Sequence, residues 1–548
     1  MSGIPLQPAA SAYSHPLLIK HLLHTPLINT PHQEIVYADL NRYDYNTLRR
    51  RIGQLASGLA GLGLKSGDTV AVMDWDSHRY LECFFTIPMI GAVLHTVNIR
   101  LSPEQILYTI NHAEDDFILV HTDFLPILEQ IKDRIARSAK FLLLSDQSDS
   151  PPDIGLDFAA EYEQLLSSSD EGYEFSDFDE NTRATTFYST GTTGNPKGVY
   201  YSHRQLVLHT LGAMSGMGTG GGHGRFHRDD VYMPITPMFH VHAWGIPYVA
   251  TLMGVKQVYP GRYVPEKLLE LIAREKVTFS HCVPTILHML LSSPAIQGID
   301  LSGWKVIIGG SAMPKALAKR ATELGIDVMS GYGLSETCPV LTIAQLDASM
   351  LEQGMERQLE LRCKAGRALP LVDLRLVDED MNEVAHDGVT TGEVVVRSPW
   401  LTQAYLKDPQ TSDALWRGGY LHTGDIGNID DNGWLKVTDR IKDVIKTGGE
   451  WISSLMLEDI VSEHPAVNEV AAIGIPDDKW GERPLVLVVP KPASSDVTED
   501  DLKDLIRQRA QAGAISPWAV PDRVILVDEI DKTSVGKIDK KKLRDKYS

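Results

Sequence analysis

The stretch "FYSTGTTGNPKGVYYSH", residues 187–203, places a loop rich in glycine and threonine directly after a strand-like run. The loop offers backbone N–H groups, hydroxyls and the ammonium group of Lys197. Because glycines let the backbone approach phosphate oxygens without a Cβ clash, such a loop is suited to binding a polyanion. It is not a Walker A loop, since Lys197 is followed by Gly198 rather than by Ser or Thr. Taken alone, the loop is equally compatible with a flexible surface turn.

Short apolar runs alternate with helix-like segments on both sides of this loop. The strand-like runs are TVAVMD (69–74), FILVHT (117–122), KFLLLSD (140–146), TFSHCVP (278–284) and KVIIGG (305–310). Helical patterns lie at 125–139 and 314–325, and the second begins at Pro and ends at Gly, as helices prefer. This alternation predicts an α/β fold in which parallel or mixed sheets are covered by helices.

The last third of the chain changes character twice. Residues 371–438 predict strands and hairpins, with a turn at Asn432-Gly433. The pattern after Arg440 is helix (455–464), strand (468–474), strand (484–490), helix (498–511) and strand (523–528). We therefore expect a large N-terminal domain over 1–440, with a small β-rich subdomain at about 365–438, and a small α+β C-terminal domain over 441–548.

The composition limits the classes of protein to which the chain can belong. Its formal net charge of -20 argues against a nucleic-acid binder or an anionic-membrane protein, but allows a small anionic ligand in a local pocket. The N-terminal segment lacks the pattern of a signal peptide, and the longest apolar run, 84–94, is too short to span a bilayer. We therefore expect a cytoplasmic protein without integral membrane association. The scattered cysteines, which we expect to be reduced and buried, are Cys83, Cys282, Cys338 and Cys363.

Six motifs, in their usual order, resemble those of the adenylate-forming superfamily. This superfamily contains acyl-CoA synthetases, luciferases and the adenylation domains of peptide synthetases. The motifs are the loop 188–198, GGSAMP (309–314), GYGLSET (331–337), HTGD (422–425), DRIKDVIKTGGEWIS (439–453) and KTSVGKIDKK (532–541). The resemblance covers nearly the whole chain. Departures from the usual pattern at Ser189-Thr190, Ser335 and Asp531 leave the relevant functional groups in place.

The resemblance implies an ATP site in which the loop 189–198 holds the β- and γ-phosphates. The Thr192 hydroxyl and the Glu336 carboxylate would position Mg²⁺, a hard cation that takes oxygen ligands. Asp425 would accept hydrogen bonds from the ribose hydroxyls. The residues expected to bind ATP or AMP are Ser189, Thr190, Gly191, Thr192, Thr193, Gly194, Lys197, Gly310, Ser311, Gly331, Tyr332, Gly333, Ser335, Asp425 and Arg440.

Without the resemblance, four of these residues have an ordinary structural explanation. Thr192 would be a turn hydroxyl, Glu336 an exposed glutamate, and Asp425 a helix or turn cap. Tyr332 would be a core aromatic residue.

By the same resemblance, catalysis depends on Lys537 in the small terminal domain. Lys537 would bridge the substrate carboxylate and the α-phosphate during adenylation, although taken alone it is a solvated charge. Lys442 would be the hinge about which this domain turns afterwards. That turn would carry Lys537 away, open a path for CoA and bring to the site Lys446, Gly448, Gly449 and Trp451.

The stretch PMFHVHAWGIP, residues 237–247, is expected to form part of an acyl pocket. His240 is placed in the catalytic set, with a packed core histidine as the alternative. Trp244 would either gate an acyl tunnel or be an ordinary core tryptophan. The stretch has no acidic residue to pair with an amine, which argues against an α-amino acid substrate. The expected apolar lining is Val241, Trp244, Val283, Leu334 and Pro339.

The overall pattern resembles the bacterial branch of medium- and long-chain fatty acyl-CoA synthetases, which also contains 3-methylmercaptopropionate-CoA ligases. The leading hypothesis is an acyl-CoA ligase that uses Mg²⁺, ATP and CoA on a medium- or long-chain fatty acid, with 3-methylmercaptopropionate as the alternative acid. The chain ends eleven residues after Lys537 without a carrier domain, which favours free CoA as the acceptor.

Other hypotheses remain open at this point. One is loading of a separate acyl-carrier protein or release of the acyl-adenylate, and another is a non-catalytic nucleotide-binding protein. The resemblance also implies a homodimer.

Overall fold

The computed structural model describes residues 3–146, 155–189, 195–220, 224–447, 450–491, 497–534 and 536–548, with only the backbone at Trp451. The strands of the first half are β1 Glu34–Tyr37, β2 Asn41–Asp44, β3 Thr69–Met73, β4 Val93–Thr96, β5 Phe117–His121, β6 Lys140–Leu144, β7 Phe158–Glu161, β8 Arg183–Tyr188, β9 Gly198–Ser202, β10 Val231–Pro234, β11 Lys256–Tyr259, β12 Phe279–Cys282 and β13 Lys305–Ile308. Those of the second half are β14 Asp327–Gly333, β15 Val340–Ile343, β16 Arg367–Ala368, β17 Asp373–Val377, β18 Gly392–Arg397, β19 Trp416–Arg417, β20 Tyr420–Ile429, β21 Leu435–Arg440, β22 Ile445–Thr447, β23 Glu450–Ile452, β24 Val467–Asp477, β25 Gly481–Pro490 and β26 Arg523–Leu526.

Helices connect these strands and cover the sheets. The α-helices are α1 His24–Asn29, α2 Tyr45–Gly61, α3 His78–Met89, α4 Pro103–Ala113, α5 Leu125–Ile131, α6 Tyr162–Ser167, α7 His203–Gly218, α8 Val241–Trp244, α9 Ile246–Met253, α10 Pro265–Glu275, α11 Pro284–Ser292, α12 Lys315–Glu323, α13 Ala348–Leu351, α14 Met355–Arg362, α15 Pro409–Leu415, α16 Ser454–Ser462, α17 Glu499–Gln511 and α18 Lys540–Tyr547. Short 3-10 helices lie at Ile19–Leu23, Thr122–Phe124, Lys132–Arg134, Pro294–Ile296, Ser335–Thr337 and Pro517–Ala519.

Two large sheets form the body of the N-terminal part. The seven-stranded sheet has the order β7-β6-β5-β3-β4-β8-β9 and is parallel except for the β8–β9 pair. The nine-stranded sheet has the order β16-β15-β14-β13-β12-β10-β11-β1-β2, with antiparallel pairs only at its two edges. Their helical connections follow from the parallel order, since parallel neighbours need crossovers. The β8–β9 pair therefore lies near the loop that follows β14, and the Tyr201 hydroxyl of β9 donates to the Ser335 carbonyl there.

Two five-stranded sheets complete the fold. In the antiparallel sheet β17-β18-β20-β19, β21 also pairs with β20, and Asp425 lies opposite Arg440. The predicted turn at Asn432-Gly433 joins β20 to β21, with Gly433 at a φ of +77°. The last sheet, β23-β22-β25-β24 with β26 beside β25, is covered by α16 and α17. Its buried residues form hydrophobic clusters of their own, as expected of a separate small domain.

Local signals in the sequence explain several helix boundaries. Ser202, at the end of β9, caps α7 in a capping box with Gln205, and Thr498 caps α17 in the same way with Asp501. The predicted helix at 314–325 is α12, whose N-cap is Pro314. These boundaries follow from the local sequence alone.

The predicted α/β fold, with a large N-terminal domain and a small C-terminal one, is confirmed. Each predicted strand of the N-terminal half is present within two residues at either end. The helix predicted over 125–139 is wrong in length, because α5 ends at Ile131 and a 3-10 turn follows. Beyond it, the Asn111 side chain accepts a hydrogen bond from the Ala136 N–H at 2.8 Å, so a tertiary contact replaces the helical one.

Two further expectations concern cysteines and membranes. Cys83, Cys282 and Cys338 are buried free thiols, whereas Cys363 is half-buried, contrary to the expectation that all four are buried. Across the described residues, we find no helix with both the length and the apolar character needed to cross a bilayer.

Candidate active site

The carboxyl ends of β13 and β14 carry the residues expected to bind adenine. β13 leads into Gly309 and Gly310, and Gly310 has a φ of +82°, in the left-handed region that favours glycine. Gly333, at the end of β14, packs so closely on the neighbouring turn that a Cβ there would lie 1.7 Å from the Pro339 carbonyl oxygen. No side chain fits at that position. Ser311 is exposed at the rim.

The carboxylate of Asp425, on β20 of the antiparallel five-stranded sheet, is buried beside Tyr332. The Tyr332 hydroxyl donates to Asp425 Oδ2 at 2.7 Å, and Arg440 Nε donates to Asp425 Oδ1 at 3.2 Å. Asp425 is 3% exposed, and burial raises its pKa despite the opposing charge of Arg440. The structure thus brings together three residues that come from different sequence motifs.

Glu336 lies on the 3-10 turn Ser335–Thr337 and is held from two sides. Its Oε1 accepts a hydrogen bond from the Tyr405 hydroxyl at 2.7 Å, and its carbonyl oxygen accepts one from the Thr402 N–H at 3.0 Å. The carbonyl of Ser335 accepts from the Tyr201 hydroxyl at 2.6 Å. The turn is therefore fixed by three groups that sequence reasoning missed. None of them lies in a recognised motif of the chain, so no local signal indicates them.

The stem of the phosphate loop adjoins Glu336. The Ser189 N–H donates to the Lys197 carbonyl at 2.9 Å, which closes the loop at its base. Lys197 Nζ lies 4.8 Å from the centre of the Tyr405 ring. Thr190, Gly191, Thr192, Thr193 and Gly194 lie outside the described residues, so the predicted Thr192 magnesium contact stays a prediction.

Lys537 reaches this region from the loop between β26 and α18. Its Cε lies 3.0 Å from where a Cβ on Gly310 would be. Burial, followed by the charge of Arg440, lowers the pKa of Lys537 to about 8, although Asp425 and Glu336 act in the opposite direction. The loop that carries it bonds to the large domain, since Thr285 Oγ1 donates to the Gly536 carbonyl at 3.3 Å.

His240 lies beside Lys537 at the start of an unusual turn. Burial, with further contributions from the charges of Lys537 and Arg100, lowers the pKa of His240 to about 3 and keeps its ring neutral. The next five residues, 241–245, all have a positive φ between 47° and 70°. Four of them, Val241–Trp244, are not glycine and make up the short element α8, which is therefore a strained left-handed turn and not a regular right-handed α-helix.

The turn separates the expected acyl-pocket residues. Trp244 packs against Gly309 and against His281, with 5.0 Å between the Trp244 and His281 ring centres. Val283 belongs to the same hydrophobic cluster as Trp244 and also contacts Gly310. Val241 instead packs into the larger cluster with Phe239. Leu334 is half-buried and Pro339 is buried, both next to the Glu336 turn.

The expected hinge lies among bonds that tie the small sheet to β21. Ser453 Oγ donates to the Thr438 carbonyl at 2.5 Å, and Ser454 Oγ donates to Asp439 Oδ2 at 2.7 Å. Burial lowers the pKa of Lys442. Lys446 lies on β22, with its N–H donating to Glu482 Oε2 at 2.8 Å. Gly448, Gly449 and the Trp451 side chain lie outside the described residues.

The Glu336 carboxylate, near the stem of the predicted phosphate loop, fits a magnesium ion better than a transition metal. Within the part of the chain that the structure describes, no group of three or more His, Cys, Asp or Glu residues could hold a metal. Mg²⁺ usually needs only one or two protein carboxylates together with substrate phosphates. A carboxylate has about four acceptor sites, so the bond from Tyr405 leaves Glu336 able to bind a cation.

Comparison with known proteins gives the same family as the motifs. The AMP-binding enzyme model matches residues 27–406, and the AMP-binding enzyme C-terminal domain model matches 456–537. A long-chain-fatty-acid–CoA ligase of Thermus thermophilus is 39% identical over 515 residues, covering 93% of this chain and 91% of that protein. A 3-methylmercaptopropionyl-CoA ligase of Ruegeria lacuscaerulensis is 37% identical over 545 residues, covering 97% and 98%.

The fold also matches solved structures over nearly its full length. The crystal structure of the anthranilate CoA ligase AuaEII in complex with anthranoyl-AMP has a TM-score of 0.82 at 23% identity, covering 97% of this chain and 98% of that one. Identity this low supports the fold alone. The AMP-binding enzyme model matches more than half of the chain, and this match shows that the chain belongs to the AMP-binding enzyme family.

Proposed function

We propose that this protein is an AMP-forming acid–CoA ligase with two half-reactions at one site. The observation that carries the proposal is the position of Lys537, which the small domain places against Gly310 and within the electrostatic reach of Asp425 and Glu336. An ammonium group there can neutralise both a carboxylate and an α-phosphate. A non-catalytic nucleotide-binding protein would have no need for a lysine at this point.

In the first half-reaction, a carboxylate oxygen of the acid attacks the α-phosphorus of ATP. The bond to the bridging oxygen breaks and pyrophosphate leaves, giving acyl-AMP. Lys537, protonated below its pKa of about 8, would hold the two anions together as they react. Asp425 and Tyr332 would orient the ribose and adenine, while the loop 189–198, which includes Lys197, would hold the pyrophosphate. Bound Mg²⁺ would supply positive charge to the phosphate oxygens.

In the second half-reaction, the thiol sulfur of CoA attacks the acyl carbonyl carbon. The bond to AMP breaks, the thiol proton is released, and a thioester forms. The proposed domain boundary, 1–440 and 441–548, puts the hinge at Lys442 between β21 and β22. Turning there would break the Ser453–Thr438 and Ser454–Asp439 bonds, withdraw Lys537 and bring Lys446 and the 448–451 turn towards the site.

The acid we favour is a medium- or long-chain fatty acid. Trp244 and Val283 share an apolar cluster beside Gly309 and Gly310, which suits an alkyl chain better than a charged substituent. The Thermus relative is named for long-chain fatty acids. 3-Methylmercaptopropionate is the second candidate, because the Ruegeria relative of similar identity is named for that short thioether acid.

We also propose a homodimer in the cytoplasm. The N-terminal segment carries apolar side chains that the single chain leaves exposed, including Ile4 at 99% and Leu6 at 90%. A second copy is a natural partner for such side chains. Light scattering at micromolar concentration is expected to give twice the mass of one chain, and a monomer would contradict the proposal.

Pyrophosphate release by the purified protein tests the function. The assay supplies Mg-ATP and acids from acetate to palmitate, together with 3-methylmercaptopropionate, each with and without CoA. We expect multiple turnovers only with CoA and a maximum at medium or long chains. A maximum at the thioether acid would support the second candidate. Pyrophosphate release at the same rate with and without CoA would point to another acceptor. No pyrophosphate release with any of the acids would favour the non-catalytic alternative.

A further inference from the structure

One short segment, residues 402–406, contacts both sides of the expected phosphate site. The Thr402 N–H donates to the Glu336 carbonyl at 3.0 Å, and the Leu406 N–H donates to the Gly198 carbonyl at 2.8 Å. Tyr405 also forms an isolated antiparallel bridge with Val199, the second residue of β9. The segment therefore fastens the Glu336 turn to the strand that leaves the phosphate loop.

The Tyr405 side chain makes the same connection a second time. Its hydroxyl donates to Glu336 Oε1 at 2.7 Å, while its ring faces Lys197 Nζ at 4.8 Å from the ring centre. Tyr405 is only 8% exposed and its partners Glu336 and Lys197 are half-buried, so both contacts are partly shielded from water. A hydrogen bond to a carboxylate and a cation over an aromatic face are both stronger under such shielding.

The two partners of Tyr405 have different proposed roles. Glu336 is the described carboxylate proposed for the magnesium ion, and Lys197 is the cation at the stem of the phosphate loop. A freely rotating glutamate loses side-chain freedom when it binds a metal, and a partner that fixes its rotamer reduces that cost. A lysine over a ring likewise keeps its ammonium in one place.

We propose that Tyr405 is a positioning residue that joins the two: its hydroxyl orients Glu336 for Mg²⁺, and its ring orients Lys197 for the phosphates. This inference rests on the proposed function, since it needs a site for Mg-ATP. Tyr405 itself touches neither substrate in this account.

Binding measurements separate the two contacts. Tyr405→Phe removes one oxygen but keeps the ring and the backbone bonds of the segment. By calorimetry, we expect it to weaken Mg-ATP binding about tenfold, as is typical for loss of a partner behind a metal ligand, and to leave ATP binding in EDTA unchanged. Tyr405→Leu removes the ring too, so it is expected to weaken binding with and without the metal. The thermal shift produced by each ligand is expected to follow the same pattern.

Two controls make the result specific. Tyr200→Phe changes a half-exposed tyrosine on the neighbouring strand, whose ring contacts Arg183, and is expected to bind Mg-ATP like the wild type. If Tyr405 acts through Glu336, the double variant Glu336→Gln with Tyr405→Phe is expected to bind Mg-ATP no more weakly than Glu336→Gln alone.

The outcomes are distinguishable. Wild-type affinity in Tyr405→Phe, equal losses with and without Mg²⁺ in that variant, or additive losses in the double variant would each overturn the role of Tyr405. Failure of the wild-type protein to bind Mg-ATP at all would instead overturn the proposed function.

Discussion

Lys537 of the small domain packs against Gly310 of the large domain, with its Cε 3.0 Å from where a Cβ on Gly310 would lie. The two residues are separated by more than two hundred positions in the chain, yet they meet where β13 ends. The loop around Lys537 is also held by Asn98, whose Nδ2 donates to Ser534 Oγ at 3.0 Å. This domain arrangement suits the adenylation step of the proposed cycle.

The low pKa of Lys537 predicts an alkaline limit to adenylation. Burial lowers this pKa to about 8, so the ammonium is present below pH 8 and is lost as the pH rises through that value. We expect kcat/KM for acid-dependent ATP–pyrophosphate exchange to fall above about pH 8, because kcat/KM reports the free enzyme. Lys537→Arg is expected to show no such fall in kcat/KM above about pH 8, because the arginine side chain stays protonated. A rate that stays constant to pH 10 would contradict the assignment.

Replacing Asp425 with Asn tests the proposed ribose contact. Asn keeps the shape and one acceptor, but it loses the charge that pairs with Arg440. Hydrogen bonds to charged groups contribute about 1.5–3 kcal/mol, so we expect the KM for ATP to rise at least tenfold with little change in the KM for the acid. Asp431→Asn, at an exposed hairpin, is the matched control. Equal effects on both KM values would point to a general structural role.

Gly333→Ala tests the tight packing beneath the Glu336 turn. The added Cβ would lie 1.7 Å from the Pro339 carbonyl oxygen, so the backbone must move. We expect a loss of about 1–3 kcal/mol in the free energy of unfolding and a marked loss of exchange activity. Gly354→Ala, where a Cβ meets nothing within 4 Å, is expected to leave both unchanged. A wild-type melting temperature for Gly333→Ala would show that the turn has room to adjust.

Trp244→Ala distinguishes a wall of the acyl pocket from an ordinary core residue. Truncation of a buried tryptophan costs about 3–5 kcal/mol in either case. If Trp244 lines the pocket beside Gly309, the new space is expected to raise kcat/KM for palmitate relative to 3-methylmercaptopropionate. Denaturant unfolding would monitor stability, and single-acid kinetics would give the ratio. Destabilisation with an unchanged ratio would place Trp244 in the core.

Much of the fold follows from local sequence. β3, β5 and β13 are mostly apolar runs, as is typical of parallel buried strands, and the Asn432-Gly433 turn specifies its own hairpin. The segment after α5 was not predictable in the same way, because its Ala136 N–H bonds to the side chain of Asn111, a residue of α4. Periodicity describes one segment at a time and carries no information about such partners.

Some residues of the site could likewise be inferred from the sequence, and others could not. Asp425, Glu336 and Lys537 stand in recognisable motifs, so their roles were inferred from the sequence, although those roles stay predictions. Tyr405 lies outside these motifs, and its contacts with Glu336 and Lys197 exist only in three dimensions. The left-handed turn after His240 was also not predicted. Valine and tryptophan rarely adopt a positive φ, and the spacing of Val241 and Trp244 in the sequence does not indicate one.

The most direct measurement separates the half-reactions in Lys537→Ala. Lys537 is proposed to act in the formation of the acyl-adenylate and to leave the site before CoA reacts. We therefore expect acid-dependent ATP–pyrophosphate exchange to fall at least a hundredfold, or about 2.7 kcal/mol, while thioester formation from supplied acyl-AMP and CoA stays within a few-fold of wild type. Equal losses in both half-reactions, or unchanged exchange, would contradict the account.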